Sequence, residues 1–180
     1  MASISDLLFE MTEWLRTTPV LDLSLWIDST EPRNWLQENF FAIPLMQTAH
    51  ILTIAVTFFS VVLIYMRVLG LGGMTRTMPE TMKRYSSTIW WGLLVLILTG
   101  IGMIVGEPVR ELVNPIFWIK MGMVIALILL SALYYGAIRR RMVNWDGTAG
   151  HLALRVGGFG LIVLWCLVMA GGRWIAYAPV

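Results

Sequence analysis

The sequence predicts an all-α integral membrane protein: a four-helix bundle, N-out and C-out, with an N-terminal amphipathic helix lying at the interface. Three observations carry that expectation. The chain of 180 residues is 58% hydrophobic and 13% charged, whereas a soluble domain is about half apolar and a quarter charged. Its apolar residues fall in four blocks of membrane-spanning length, near 40–66, 87–106, 115–138 and 156–176. Eight of the 13 basic residues lie in two stretches: Arg67, Arg76, Lys83 and Arg84 after the first block, and Arg139, Arg140, Arg141 and Arg155 around the connection before the fourth. Those stretches hold only Glu80 and Asp146 of the 11 acids. The positive-inside rule then puts both stretches in the cytoplasm and both termini on the periplasmic side of a bacterial inner membrane.

Residues 1–38 read as a periplasmic interfacial segment and 39–180 as the bundle. The first 38 residues carry seven acids and two basic side chains, so no basic-then-apolar signal peptide is expected and the first span serves as an uncleaved insertion signal. Within 3–17, Ile4, Leu7, Leu8, Met11, Trp14 and Leu15 share one helical face, and Ser3 and Asp6 have capping-box spacing. That helix either lies flat on the membrane surface, as Trp14 and Trp26 suit, or packs on the protein's own outer face. Thr17-Thr18-Pro19 ends it, and 20–38 is expected to be irregular or a broken helix, with Pro32 near its middle.

The first span carries Pro44 in its opening turns, where proline is tolerated. The second carries Gly92, Gly100, Gly102 and Gly106, of which Gly102 and Gly106 have the spacing of closely approaching helices. Asn114-Pro115 reads as a cap followed by proline at the first helical position of the third span. In the fourth, Gly157, Gly158, Gly160 and the pair Gly171-Gly172 admit a neighbouring helix or the edge of a flat cofactor. Connections of roughly 8 to 20 residues favour up-down-up-down order. Cys166 is the only cysteine, so no disulfide forms within the chain.

His50 interrupts an apolar span, and an ionisable residue at membrane depth is a functional-site hypothesis by default. At about 1.5 Å per residue, His50, Lys120 and Arg173 all fall within roughly the outer 15 Å of the bilayer. Glu107, Arg110 and Glu111 stand just above them. Such a cluster suits haem b, with His50 as axial ligand and Lys120 and Arg173 as partners of the propionates. It also suits a copper ion held by His50 with thioethers such as Met46 or Met103. The third reading is structural: the two cations reach for the surface and His50 bonds a neighbouring helix. His151 lies at the cytoplasmic end of the fourth span, about 20 Å or more in height from His50. The two histidines therefore do not share one iron, and His151 reads as an interfacial residue. A sixth iron position is left to water, to Met103 or Met169, or open.

Several stretches together resemble an uncharacterised family of small bacterial four-span membrane proteins. They are Pro44-Leu-Met-Gln-Thr-Ala-His50, Arg67-Val-Leu-Gly-Leu71, Thr99-Gly100 through Glu107, Asn114-Pro-Ile-Phe-Trp-Ile-Lys120 and Ala170-Gly-Gly-Arg173-Trp-Ile-Ala-Tyr177. The resemblance covers 35–180 and selects His50, Arg67, Asn114, Pro115, Lys120 and Arg173, without naming a reaction. The chain departs from the family's pattern at Gln47 and Tyr65, where acids are frequent, and at Tyr134-Tyr135, where a further histidine is frequent. A looser likeness to b-type cytochromes and copper-resistance membrane proteins accompanies it. The function expected is electron transfer or handling of a small redox ligand by a haem b protein near the periplasmic face. The alternatives are a copper-binding or copper-transport protein and a structural subunit of a larger membrane complex. The expected partners are the lipid bilayer, further copies of the chain and a redox protein, with no nucleic acid. No hydrolytic triad, phosphate loop or zinc-type histidine cluster is present.

Overall fold

The computed structural model describes residues 4–71, 76–141 and 152–177, and they are helical nearly throughout. Three short helices come first: α1 (Ile4–Arg16), α2 (Pro19–Asp28) and α3 (Glu31–Glu38). The long helices are α4 (Ala42–Leu69), α5 (Met78–Gly106), α7 (Pro115–Arg141) and α8 (Leu152–Trp174), with the single-turn α6 (Pro108–Leu112) between α5 and α7. A 3-10 turn, Ile175–Tyr177, follows α8.

All four long helices are long and apolar enough to cross a membrane, with mean hydropathy from 2.1 to 2.3 over their most apolar stretch. Lengths of 23 to 29 residues correspond to about 35–43 Å, more than the hydrocarbon core of about 30 Å. They present apolar side chains outward: Leu94, Ile97, Leu98 and Ile101 on α5 and Ile125, Leu129 and Leu133 on α7 are all exposed.

The helix ends follow from local chemistry. Thr18 ends one helix and starts the next, its hydroxyl accepting from the Val20 N–H at 3.4 Å with Pro19 in the first turn of α2. The segment expected to be broken is two helices, but the break falls at Ser29–Thr30; Pro32 opens α3 rather than interrupting it. The Arg33–Asp28 ion pair, 3.0 Å, spans the break. At the far end of α4, Gly70 takes φ 74°. Its N–H donates to the Arg67 carbonyl, and the Leu71 N–H donates to the Met66 carbonyl at 3.0 Å. This paired termination needs a left-handed residue, which accounts physically for glycine in Arg67-Val-Leu-Gly-Leu71.

Two helix starts differ from expectation. α5 begins at Met78, not near Ser87. Its start is a capping box: the Thr77 N–H donates to Glu80 Oε2 at 2.8 Å, and the Glu80 N–H reaches back to the Thr77 hydroxyl. The added turns are amphipathic, burying Met78, Thr81 and Met82 while Lys83 and Arg84 stay exposed. A search for continuous apolar residues cannot see such a start. α7 begins at Pro115 as the Asn114-Pro115 cap implies, whereas α8 starts four residues earlier than expected.

The chain divides into two compact units, and each long helix contributes to both. The first comprises the described residues up to Ile51, Ile97–Gly122 and those from Val168 onward. Here α1 packs on α2, and α2 on α6. A core of Leu112, Phe117 and Ile175 gathers Val20, Ile27, Ile104 and Met121 around it. The face expected along α1 is split: Leu15 is buried with Thr12, while Ile4, Leu7, Met11 and Trp14 are exposed. That exposed apolar stripe matches a helix whose outer side meets an interface. The Ser3 half of the expected cap and His151 both lie outside the described residues.

The second unit comprises Leu52–Leu96 and Met123–Leu167. Its contacts are between small residues and rings. The Thr57 side chain sits directly on Gly92, joining α4 to α5. Phe58 of α4 faces Trp165 of α8 with ring centroids 6.1 Å apart. Ile64, Val68 and Ile138 are fully buried.

Candidate functional site in the first unit

His50 lies in the third turn of α4 and is half-buried. Its Nδ1 is 2.7 Å from the hydroxyl of Thr99 on α5. Close approach of the two helices makes that bond possible. Gly100 lies against the imidazole edge, where a Cβ would make an ordinary contact, 3.8 Å from His50 Cε1. One turn earlier the Met46 sulfur rests on Gly102, and a turn before that Ile43 rests on Gly106, 3.4 Å from where a Cβ would be. The pair Gly102/Gly106, expected from its spacing alone, thus marks a real helix contact. At its end the Gln37 side-chain amide donates to the Gly106 carbonyl at 2.7 Å, tying α3 to α5.

Lys120 comes from the second turn of α7. The N-terminus of that helix is fixed by Asn114, which is fully buried. Asn114 Oδ1 accepts from the Ile116 N–H at 2.9 Å, and its Nδ2 donates to the Ile175 carbonyl at 3.2 Å. One amide therefore caps α7 and holds the chain leaving α8 beside it. Lys120 is half-buried, with Nζ 3.9 Å from where a Cβ on Gly172 would stand. Its charge acts on two groups, His50 and Glu111.

Glu111 belongs to α6, outside the spans. Burial pushes its carboxyl above the usual carboxylate range, Lys120 and Arg110 pull it back, and Glu107 adds to the rise. Arg110 itself is ion-paired to Glu107 on the exposed side of the same turn.

The structure thus brings His50, Lys120 and Glu111 into one electrostatic neighbourhood on three helices. Arg173 is different: it is exposed, and its guanidinium donates to the Tyr177 hydroxyl at 2.9 Å while lying 5.2 Å from that ring's centroid. It adjoins Gly172, against which Lys120 packs. Met46 is on the His50 face of α4, one turn away; Met103 is half-buried on α5 beside Gly102, and Met169 half-buried on α8. Among the described residues no three of His, Cys, Asp and Glu gather within metal-binding reach of one another.

Sequence reasoning missed Thr99 as the partner of His50, and Glu111 as the counter-charge of Lys120 beyond its place in the loop. A hydroxyl beside glycine in an apolar span was the available signal for the first. In the second unit two of the residues that depart from the resembled pattern meet. Tyr65 and Tyr134 both pack on Gly158, and the Tyr134 hydroxyl donates to the Leu154 carbonyl at 3.0 Å. Arg67 is buried in the same unit, in the last turn of α4, where a cation suits the helix dipole.

No curated protein and no solved structure matches the chain. Over residues 39–178 the chain matches the model of a family of unknown function, DUF6644, and it belongs to that family.

Proposed function

We propose that the chain is a membrane-embedded haem b protein that passes electrons or handles a small redox ligand, with His50 as the axial ligand. The observation that carries this reading is the His50–Thr99 bond. With Nδ1 donating to the hydroxyl, Nε2 keeps the lone pair that a metal takes, and the ring is held in one orientation. Lys120, whose charge acts on the imidazole, supplies a cation for a propionate. Arg173 spends one N–H on Tyr177 and retains others for a second. Haem b, when bound, would supply a one-electron iron centre. The residues' own contribution is to orient the ligand nitrogen and balance the anionic edge.

A copper site is the second reading, and Met46 is what favours it. Its sulfur lies on the same seam of α4 and α5 as the imidazole, one turn away, and soft sulfur with imidazole suits Cu(I). An absorption spectrum of the purified protein with metal analysis separates the two. A Soret band that is lost in His50→Ala supports haem. Copper without a Soret band supports the second reading, and a colourless metal-free protein purified from haem-replete cells overturns both.

We further place the termini in the periplasm of a bacterial inner membrane, on the strength of the two basic stretches flanking α4 and α5 and following α7. Alkaline phosphatase fused after Val180 is expected to be active; an inactive, stable fusion would reverse the orientation.

A further inference from the structure

A second feature of the molecule is independent of the histidine site. In the second unit, α4 and α5 border an open groove of about 570 Å³ lined by Ala55, Val56, Phe59, Ser60, Arg84, Tyr85 and Thr88. Its two ends differ chemically. Ala55, Val56 and Phe59 belong to the apolar body of α4, and Val56 and Phe59 are exposed. Arg84, Tyr85 and Thr88 belong to the amphipathic opening turns of α5, ahead of the apolar stretch that starts at Ile89. Ser60 turns its hydroxyl to the Val56 carbonyl at 2.9 Å, so it adds no donor to the apolar floor. Trp90 and Trp91 stand exposed in the next turn.

We infer that this groove binds one anionic phospholipid. The phosphate pairs with the Arg84 guanidinium, the Tyr85 and Thr88 hydroxyls offer further donors, and an acyl chain lies along Ala55, Val56 and Phe59. Charge complementarity selects this occupant. A membrane-facing groove with an apolar floor and an arginine at one end matches a lipid with a phosphate at one end and methylenes below, and arginine suits phosphate through paired N–H donors. The same pattern recurs in this unit on α7, where Ala132, Leu133, Gly136 and Ala137 border a recess of about 380 Å³ that ends at Arg140 and Arg141.

The test uses the full chain, delipidated in detergent and offered dioleoylphosphatidylglycerol or dioleoylphosphatidylcholine, with bound lipid counted by native mass spectrometry. One phosphatidylglycerol is expected to be retained in preference to phosphatidylcholine. Arg84→Gln is expected to reduce that preference about fivefold, the size of one cation's attraction to an anionic headgroup, whereas Arg84→Lys keeps most of it. Lys83→Gln, on an exposed neighbour outside the groove, leaves it unchanged. Ala55→Trp fills the floor without touching the charge, and decides the matter if Arg84→Gln fails to fold. Equal retention of the two lipids would overturn the inference, as would phosphatidylglycerol binding untouched by Ala55→Trp. A dimer mass that Ala55→Trp abolishes would assign the groove to a second copy instead.

Discussion

The two units are built from the same four long helices, yet different chemistry holds each together. In the first, polar side chains join helices around the core of Leu112, Phe117 and Ile175: Gln37 on the Gly106 carbonyl, Asn114 on the Ile175 carbonyl, and His50 on Thr99. In the second, rings and methyl groups press on glycines, as Thr57 does on Gly92 and Tyr65 and Tyr134 do on Gly158. Steric fit can be satisfied by many apolar sequences. Buried polar bonds are satisfied by few, and ionisable groups in a span are costly unless partnered. The polar bonds between helices gather in the unit that holds His50 and Lys120, while the other rests more on rings and methyl groups against glycines, with Arg67 as its buried charged residue.

That contrast can be broken most forcefully at Gly158. A Cβ there would collide with the Tyr65 ring and stand 2.5 Å from the Tyr134 hydroxyl. Gly158→Val is expected to cost about 3 kcal/mol, the upper range for overpacking, read as earlier unfolding in a denaturant or thermal series followed by tryptophan fluorescence. Gly160, two residues on, meets nothing within 4 Å. Gly160→Ala is therefore expected to be neutral or to stabilise by up to about 1 kcal/mol, since alanine is the better helix former. Equal effects at the two positions would show that glycine serves the helix itself and not its contacts.

Asn114→Ala tests the polar unit in the same way, with an effect next in size. It removes the α7 cap and leaves the buried Ile175 carbonyl without its donor, for a loss of about 2 kcal/mol. The loss should be accompanied by faster hydrogen exchange in the opening turn of α7. If Asn114→Ala unfolds no more easily than the parent, polar bonds do not hold this unit.

How much of this was legible in the sequence depends on what each feature requires. The spans, the Asn114-Pro115 start and the Gly102/Gly106 contact were readable because composition and spacing along one helix determine them. The start of α5 at Met78 was not read from hydropathy, although Thr77-Met-Pro-Glu80 carried it as a capping signal. Grouping His50 with Lys120 followed from depth alone. The Thr99 bond did not, because it depends on how α4 is rotated against α5, and a single sequence does not state that. Arg173 shows the same limit: depth put it with the cluster, while its bond goes to Tyr177, one turn further along its own chain.

The smallest effect, and the one that sharpens the comparison most, concerns Glu111. Its carboxyl is raised because burial outweighs the pull of Lys120 and Arg110. A raised acid holds its proton in the folded state after the unfolded chain has released it. Its contribution to stability is therefore fully present below the ordinary glutamate value of 4.5 and is lost as pH rises through the higher folded value. Thermal unfolding of the parent and of Glu111→Gln, compared from pH 4 upward, should show the parent losing ground over that window while the variant does not. Lys120→Met removes the strongest restraint on the rise, so the window should move to higher pH. Parallel curves for parent and Glu111→Gln at every pH would mean that Glu111 reaches water freely, and would detach it from the lysine. A window that moves with Lys120 would instead show that the protonation of this turn is read at Lys120, whose charge also acts on His50.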